Sequence, residues 1–301
     1  MRVALTGATG LIGGHLGRAL IARGDEVVAL VRGDGSGIEG ARDVHWDPSE
    51  GPLPAGALDG VDAVVNLAGA PLAGRRWTAA RKRQIRESRT VTTRLVVDAL
   101  AAEGAPRVLV NGSAVGFYGN AEHPVDETAP AGADFLADTC VAWEREALRA
   151  REHGVRVALI RTGLVLARDG GILPTVARPV KLFAGGPLGG GRQWMPWIHI
   201  DDEVGLLLML LDRDDASGPF NGSAPEPVQQ REFARILGNV LGRPSVVPAP
   251  AVAIRLALGE MAVLALEGQR AVPAAALAAG YSFVHTDLEE ALRDLYGYGA
   301  G

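Results

Sequence analysis

The stretch "RVALTGATGLIGGHLGRALIARGDEVVALVR", residues 2–32, passes from one apolar run to another through a glycine-rich turn and a helical pattern. "RVALTG" (2–7) reads as a buried strand, "LIGGHLGRALIARG" (11–24) as a helix stopped at Gly24, and "EVVALVR" (26–32) as a second strand. Gly7, Gly10 and Gly13 stand in the turn with the spacing G-x-x-G-x-x-G. Glycines there permit a tight bend and a close backbone approach, and the free N–H groups of a helix start attract a diphosphate. A turn that merely packs closely is the competing reading. The strand before it and the helix after it favour a dinucleotide.

Beyond this unit, "DVHW" (43–46), "DAVVNLAG" (62–69), "RVLVNGS" (107–113) and "VRVALIRTG" (155–163) read as further strands. A long helix from about Thr78 to Glu103 and another around "ADFLADTCVAWERE" (133–146) separate the later ones. This alternation is the sequence form of an α/β fold with a doubly wound parallel sheet. The second half is less regular. "DGGILPTVARPVKLFAGGPLGGGRQW" (169–194) reads as irregular chain, either over a site or at the surface. "IDDEVGLLLMLLD", "QREFARILGNVLG", the stretch Pro250–Glu267 and a terminal "HTDLEEALRDLYGY" capped by Thr286 or Asp287 read as helices. The expected division is a Rossmann domain over 1–161 and a smaller, mixed, substrate-side C-terminal domain over 162–301. Part of 195–225 is expected to return to the first.

With 301 residues, 48% of them hydrophobic, the chain can bury a full core. A formal charge of −5 argues against a nucleic-acid partner. The single cysteine, Cys140, cannot form an intramolecular disulfide. "MRVALTG" enters a strand at once, leaving no room for a signal peptide, and "VGLLLMLL" is far short of the ~20 residues that span a bilayer. A cytoplasmic protein, monomer or homodimer, with no membrane partner is expected. No clustered His/Cys set has metal-ligand spacing, so no metal is expected.

The contacts expected of a dinucleotide fall on Gly7, Thr9, Gly10, Leu11, Ile12 and Gly13, then on Leu67, Ala68 and Gly69 after the fourth strand, and on Asp47 in "HWDP". At the end of the second strand a carboxylate would bind a ribose diol and a cation a 2′-phosphate. Arg32 holds that place, which favours NADP(H); if Arg32 is only solvated and Asp34 reaches the ribose, NAD(H) is the alternative. Lys82, Arg86 and Arg89 follow i, i+4, i+7 spacing and share a helix face, either solvated or aimed at a phosphate.

"TGATGLIGG", "DAVVNLAG", "NGSAVGFYG", "RVALIRTG" and "WIHIDD", in that order, resemble the extended short-chain dehydrogenase/reductases. "GAPLAGRRW", "CVAWE" and "AAGYSFVHTDLEEAL" are similar to the atypical branch labelled epimerase family protein, including sugar-nucleotide epimerase homologues labelled as cell-division inhibitors. The resemblance implies a catalytic Ser, a Tyr-x-x-x-Lys pair and an Asn. Ser113 matches the Ser, but Leu136 falls in the Tyr position, Cys140 in the Lys position and Arg89 in that of the Asn, while Glu144 follows as in the family. The acid-base pair is therefore missing. Cys140 is either a small helix residue facing the coenzyme ribose or a thiol poised for proton transfer or redox sensing. Ser113 is the candidate carbonyl polariser and Tyr118 the candidate proton source. Arg161 either holds an anion or packs locally, and His199 is a hydrogen-bonding core residue rather than a catalyst.

Two functions remain open. One is an NADP(H)-dependent oxidoreductase or epimerase-like enzyme, its cleft roofed by Arg178, Lys181 and Arg192 and suited to an anionic or nucleotide-linked small molecule. The other is a non-catalytic NADP(H)-binding sensor or regulatory protein.

Overall fold

The structure, a computed structural model, describes residues 1–102 and 104–297. Strands β1 (Arg2–Thr6), β2 (Glu26–Val31), β3 (Arg42–His45), β4 (Ala63–Asn66), β5 (Val108–Ala114), β6 (Arg156–Thr162) and β7 (Gly218–Gly222) form one sheet in the order β7-β6-β5-β4-β1-β2-β3. All neighbouring pairs are parallel. The order reverses between β1 and β4, where the carboxyl ends of the strands leave a crevice.

Such a sheet must be covered on both faces, and its residues sort accordingly. Val3, Leu5, Val27 and Ala29 point to one side, with Leu16 and Leu20 of α1 (Leu11–Arg23) and Leu207 and Leu210 of α5 (Ile200–Asp212). Ala4, Val28 and Leu30 point to the other, with Val96, Val97 and Leu100 of α2 (Ala79–Leu100) and Ala147 of α3 (Phe135–Leu148). Other helices include α4 (Leu173–Lys181), α6 (Gln230–Val240), α7 (Ala251–Leu258) and α8 (Leu288–Tyr296). After β6 the chain leaves the sheet, returns as α5 and β7, and leaves again. Among the described residues no helix is long and apolar enough to cross a membrane.

Several elements differ from the sequence expectation. The stretch 169–194 is not wholly irregular: it contains α4, which has a proline in its first turn and Pro179 inside it. The helix expected over Pro250–Glu267 ends at Leu258, because Gly259 turns with φ +61° before two short helical turns. Thr78 caps α2, its hydroxyl accepting from the Arg81 N–H at 3.2 Å, and Asp287 rather than Thr286 caps α8. Glu103 and Tyr298, at the ends of the two expected helices, lie outside the described residues.

The β1–α1 turn depends on two glycines. Gly7 has φ +71°, and a Cβ there would lie 2.9 Å from the Leu67 carbonyl carbon. A Cβ on Gly13 would lie 2.3 Å from the Gly7 carbonyl oxygen. We expect Gly13→Ala to lower stability by about 1–3 kcal/mol through this overlap. Urea unfolding tests it, and an unchanged midpoint and slope would show that the helix start does not need the close approach.

Candidate active site

Helix α1 begins at the mouth of the crevice with Gly10 as its N-cap and no side chain capping it. Its first N–H groups are thereby left for a ligand. Thr9 and Gly10 are exposed beside Leu11 and Ile12, so the six residues predicted for the cradle do converge on one turn. Arg32 and Asp34 are both exposed just past β2. Asp47 lies close enough to Arg32 to feel its charge, but its Oδ1 accepts from the Ser49 N–H and hydroxyl, both at 2.8 Å, and these bonds hold its carboxyl below the usual range.

Buried polar side chains lock the carboxyl ends of β1, β4 and β5 together. The Thr6 hydroxyl donates to Asn66 Oδ1 (2.6 Å) and accepts from the Ala68 N–H. Asn66 Nδ2 donates to Thr93 and to Asn111, and the Trp143 indole also donates to the Thr93 hydroxyl. Every bond here replaces one to water, which keeps buried amides affordable. The network fixes Leu67, Ala68 and Gly69 where β4 ends. Arg89 reaches the same spot: a Cβ on Gly69 would lie 3.0 Å from its Cζ, and its Nη1 donates to the Ala70 and Ile85 carbonyls. Its guanidinium also lies over the Trp143 ring at 5.2 Å.

A second chain runs from β5 to β7. The Ser113 hydroxyl donates to Glu144 Oε1 at 2.6 Å. Arg161 Nε and Nη2 donate to the two oxygens of Glu144, each at 2.9 Å, with both side chains buried. Arg161 Nη1 donates to the Tyr118 hydroxyl (3.0 Å), which in turn donates to Asn221 Oδ1 (2.7 Å). The Phe117 ring lies 3.5 Å from the Arg161 Cζ. Ser113 and Tyr118 are thus brought into one network by residues that the sequence offered separately. Tyr118 is buried, burial pushes its phenol up, and its proton is already committed to Asn221.

Cys140 stands one turn before Glu144 on α3, with its Sγ 3.7 Å from the Ala114 carbonyl oxygen. Burial, reinforced by the Glu144 charge, pushes the thiol up to about 12. It is therefore protonated at neutral pH, and the geometry favours the buried-residue reading over the reactive one. Leu136, partly buried, packs in an apolar cluster with Trp77, Phe135, Met261 and Leu258.

The expected cationic stripe on α2 is divided. Lys82 pairs with Glu260, Arg86 is exposed, and Arg89 turns to Gly69. The expected roof of Arg178, Lys181 and Arg192 is divided too. Arg178 and Lys181 line one cavity, while Arg192 lines another of about 170 Å³ together with Glu122 and Trp194.

His199 is buried, and its Nδ1 accepts from the Asp201 N–H at 3.1 Å to cap α5. His285 stacks on it at 3.7 Å, and Asp294 faces its Nε2 at 3.3 Å. His199 and Asp201 stand in one segment and His285 and Asp294 in another, so no single spacing in the sequence reveals the four together. An accepting Nδ1 leaves the neutral ring's proton on Nε2, so a metal there would have to strip the ring of its only proton. Glu203, also missed in the sequence, is fully buried. Its Oε1 accepts from the Thr162 hydroxyl at 2.6 Å, its Oε2 has no hydrogen-bond partner among the described residues, and burial pushes the carboxyl up to about 7.

Comparison with known proteins follows this geometry. A family model described as the NAD dependent epimerase/dehydratase family matches residues 3–221, and a domain of unknown function, DUF1731, matches 249–295. An epimerase family protein of Mycobacterium leprae is 43% identical over 96% of this chain and 94% of its own. The crystal structure of human epimerase family protein SDR39U1 with NADPH superposes with a TM-score of 0.90, at 34% identity and over 99% of both chains. A nucleoside-diphosphate sugar epimerase of Corynebacterium glutamicum, also 34% identical, superposes at 0.81 over 99% of this chain and 59% of its own.

Two outcomes check the local chemistry. Iodoacetamide at pH 8 should modify Cys140 roughly a thousandfold more slowly in the native protein than in urea, given the scarcity of thiolate; native and unfolded rates within tenfold of each other would contradict the burial. Glu203 binds its proton more tightly folded than unfolded, so its contribution is present below the unfolded value of 4.5 and lost as pH rises through about 7. Between pH 4.5 and 8 the wild type should lose about 3 kcal/mol more stability than Glu203→Gln, and parallel curves from chemical denaturation would refute this.

Proposed function

Because the chain belongs to the NAD dependent epimerase/dehydratase family, we propose that it is an NADP(H)-binding, epimerase-like protein whose active site departs from the Tyr-x-x-x-Lys arrangement. The observation that carries this reading is the β1–α1 turn, where a Cβ on Gly7 or Gly13 would strike backbone and no side chain caps the helix. Such a cradle fits a diphosphate. Arg32, exposed at the end of β2 with Asp47 alongside, supports the 2′-phosphorylated coenzyme, as does the NADPH in the human relative. In this reading Gly7, Thr9, Gly10, Leu11, Ile12 and Gly13 hold the diphosphate. Leu67, Ala68 and Gly69 back the adenosine side, and Arg89 and Cys140 form the wall near the nicotinamide ribose. The coenzyme-binding part is 1–161 and the substrate side 162–301, with part of 195–225 returning to the first; β7 at the sheet edge supports this division.

A nicotinamide coenzyme supplies or accepts a hydride, and the protein must position it and manage a proton. Ser113 gives its proton to Glu144, so its oxygen offers lone pairs and accepts from a donor such as an amide or a sugar hydroxyl. This makes it a positioning group more than a carbonyl polariser. The Tyr118 proton is held by Asn221, and reaching a substrate would break that bond. The substrate in this reading is a small molecule, anionic or nucleotide-linked, in keeping with the name of the Corynebacterium relative.

The second reading, a non-catalytic NADP(H) sensor, has an observation of its own. Leu136 has no exchangeable side-chain proton and packs in an apolar cluster, and the Cys140 thiol stays protonated, so neither position assigned to the family's acid-base pair offers a base at neutral pH.

Fluorescence titration tests binding: NADPH should saturate the protein, and Arg32→Glu should weaken NADPH at least tenfold more than NADH, a difference of about 1.4 kcal/mol. Equal losses would remove Arg32 from the coenzyme, and no saturation with either nucleotide would end the reading. NADPH oxidation with a panel of carbonyl compounds then separates the two functions. Turnover lowered by Ser113→Ala favours the enzyme, and saturable binding without turnover favours the sensor.

A further inference from the structure

Outside the cradle, a cavity of about 580 Å³ opens between α4 and the end of α8. Arg168, Arg178 and Lys181 line it, with Pro174, Leu182 and the Tyr296 ring, and no carboxylate is among its lining residues. All three cations are exposed, and none of their side chains makes an ion pair or a hydrogen bond with another described residue. Lys181 Nζ only rests over the Tyr296 ring, 5.1 Å from its centre.

Part of this has an ordinary cause. Arg178 and Lys181 occupy the last turn of α4, where cations oppose the partial negative charge of the carbonyl end. That cause does not reach Arg168, which enters from the loop before α4, and it does not offset the repulsion of like charges three residues apart on one helix. In a chain of net charge −5 with 35 acidic residues, counter-charges are plentiful elsewhere. At Arg23, Arg149, Arg161 and Arg213 the fold supplies them. Among the described residues it supplies none here.

We propose that Arg168, Arg178 and Lys181 form a binding site for a phosphate-bearing anion of two or more negative charges. Two guanidinium forks can hold phosphate oxygens bidentately and the ammonium adds a point charge, a combination suited to a diphosphate or a phosphate ester. The site shares no lining residue with the β1–α1 cradle, and it goes beyond the coenzyme reading without resting on it. The two are nevertheless adjacent through the chain. Two residues after Arg168, the loop brings Gly170 and Gly171 against Leu11, so an anion that orders Arg168 bears on the helix start.

Calorimetric titration with inorganic pyrophosphate, in the presence of saturating NADPH so that the cradle is filled, tests this on the full chain. The wild type should bind saturably, more weakly as salt rises, and Arg178→Glu/Lys181→Glu should weaken binding about tenfold or more. Lys181→Arg should retain it, and the double variant should bind NADPH as the wild type does. A parallel titration with uridine diphosphate separates sources: tighter binding than pyrophosphate marks a nucleotide ligand, and equal binding a free or ester phosphate. No saturable heat in the wild type, or equal affinity in the double variant, overturns the site. If NADPH fails to bind while the double variant still loses pyrophosphate, the coenzyme reading falls and the anion site stands.

Discussion

The buried pair of Glu144 and Arg161 holds the two halves of the site in one geometry. Taking both ions out of water carries a penalty of several kcal/mol each, and their mutual attraction offsets it only when the remaining hydrogen-bonding capacity is used. Here it is used. Glu144 accepts two bonds from Arg161 and one from Ser113, while Arg161 also donates to Tyr118 and lies against the Phe117 ring. Because each bond has a direction, the pair sets more than distance. It joins α3 to β6, and through Tyr118 and Asn221 it reaches β7 and the Val272 carbonyl of the C-terminal part. A substitution on either side would leave an uncompensated buried charge, so the pair ties the position of Ser113 to the docking of the second half of the chain.

That coupling reshapes the chemistry expected from the family pattern. In the usual arrangement a Tyr and a Lys one turn apart exchange and tune a proton. On α3 the positions that the resemblance assigns to that pair hold Leu136 and Cys140, and the Ser113 hydroxyl donates to Glu144. The charge around Ser113 and Gly69 is carried by Glu144, already neutralised by Arg161, and by Arg89, whose guanidinium lies on the Trp143 ring. The result is a site well built for orientation. Its proton-carrying groups are either buried or committed.

The sequence carried the sheet and the cradle because both are written locally. Continuous apolar strands, a helix pattern and glycines at fixed spacing report contacts between near neighbours, and Gly7 and Gly13 are glycine for reasons visible in the backbone. The site was legible in its parts: Ser113, Tyr118, Cys140 and Arg161 were each singled out, but their connection through Glu144 and Asn221 was not, since residues 31 and 103 apart share no pattern. Helix α4 was hidden by two prolines, one tolerated where N–H groups have no partner and the other ending a short helix. Gly259 hid a break in an Ala/Leu-rich run because only its positive φ makes it a turn. Glu203 left no signal at all, for an acidic residue in the first turn of α5 reads as a favourable exposed charge until the fold buries it.

The network around Ser113 is close-packed and buried, and the segment from α7 to Leu266 is held differently. The stretch from α7 to Leu266 meets the start of α2 through an apolar contact of Leu258, Met261 and Val263 with Trp77 and Leu136, and through Arg76 donating to the carbonyls of Leu256 and Ala257. The Arg76 bonds close the carbonyl end of α7, where a cation is favoured, yet no residue of α7 itself is buried, and Val252 and Leu256 remain 67% and 74% exposed. Opening this segment would break one small cluster, the Arg76 bonds and a bond from Gln193 Nε2 to the Ala265 carbonyl at 2.6 Å, whereas moving Ser113 would break a buried chain of bonds. Local stability follows such differences in buried contact, so this segment opens at lower cost than the network around Ser113.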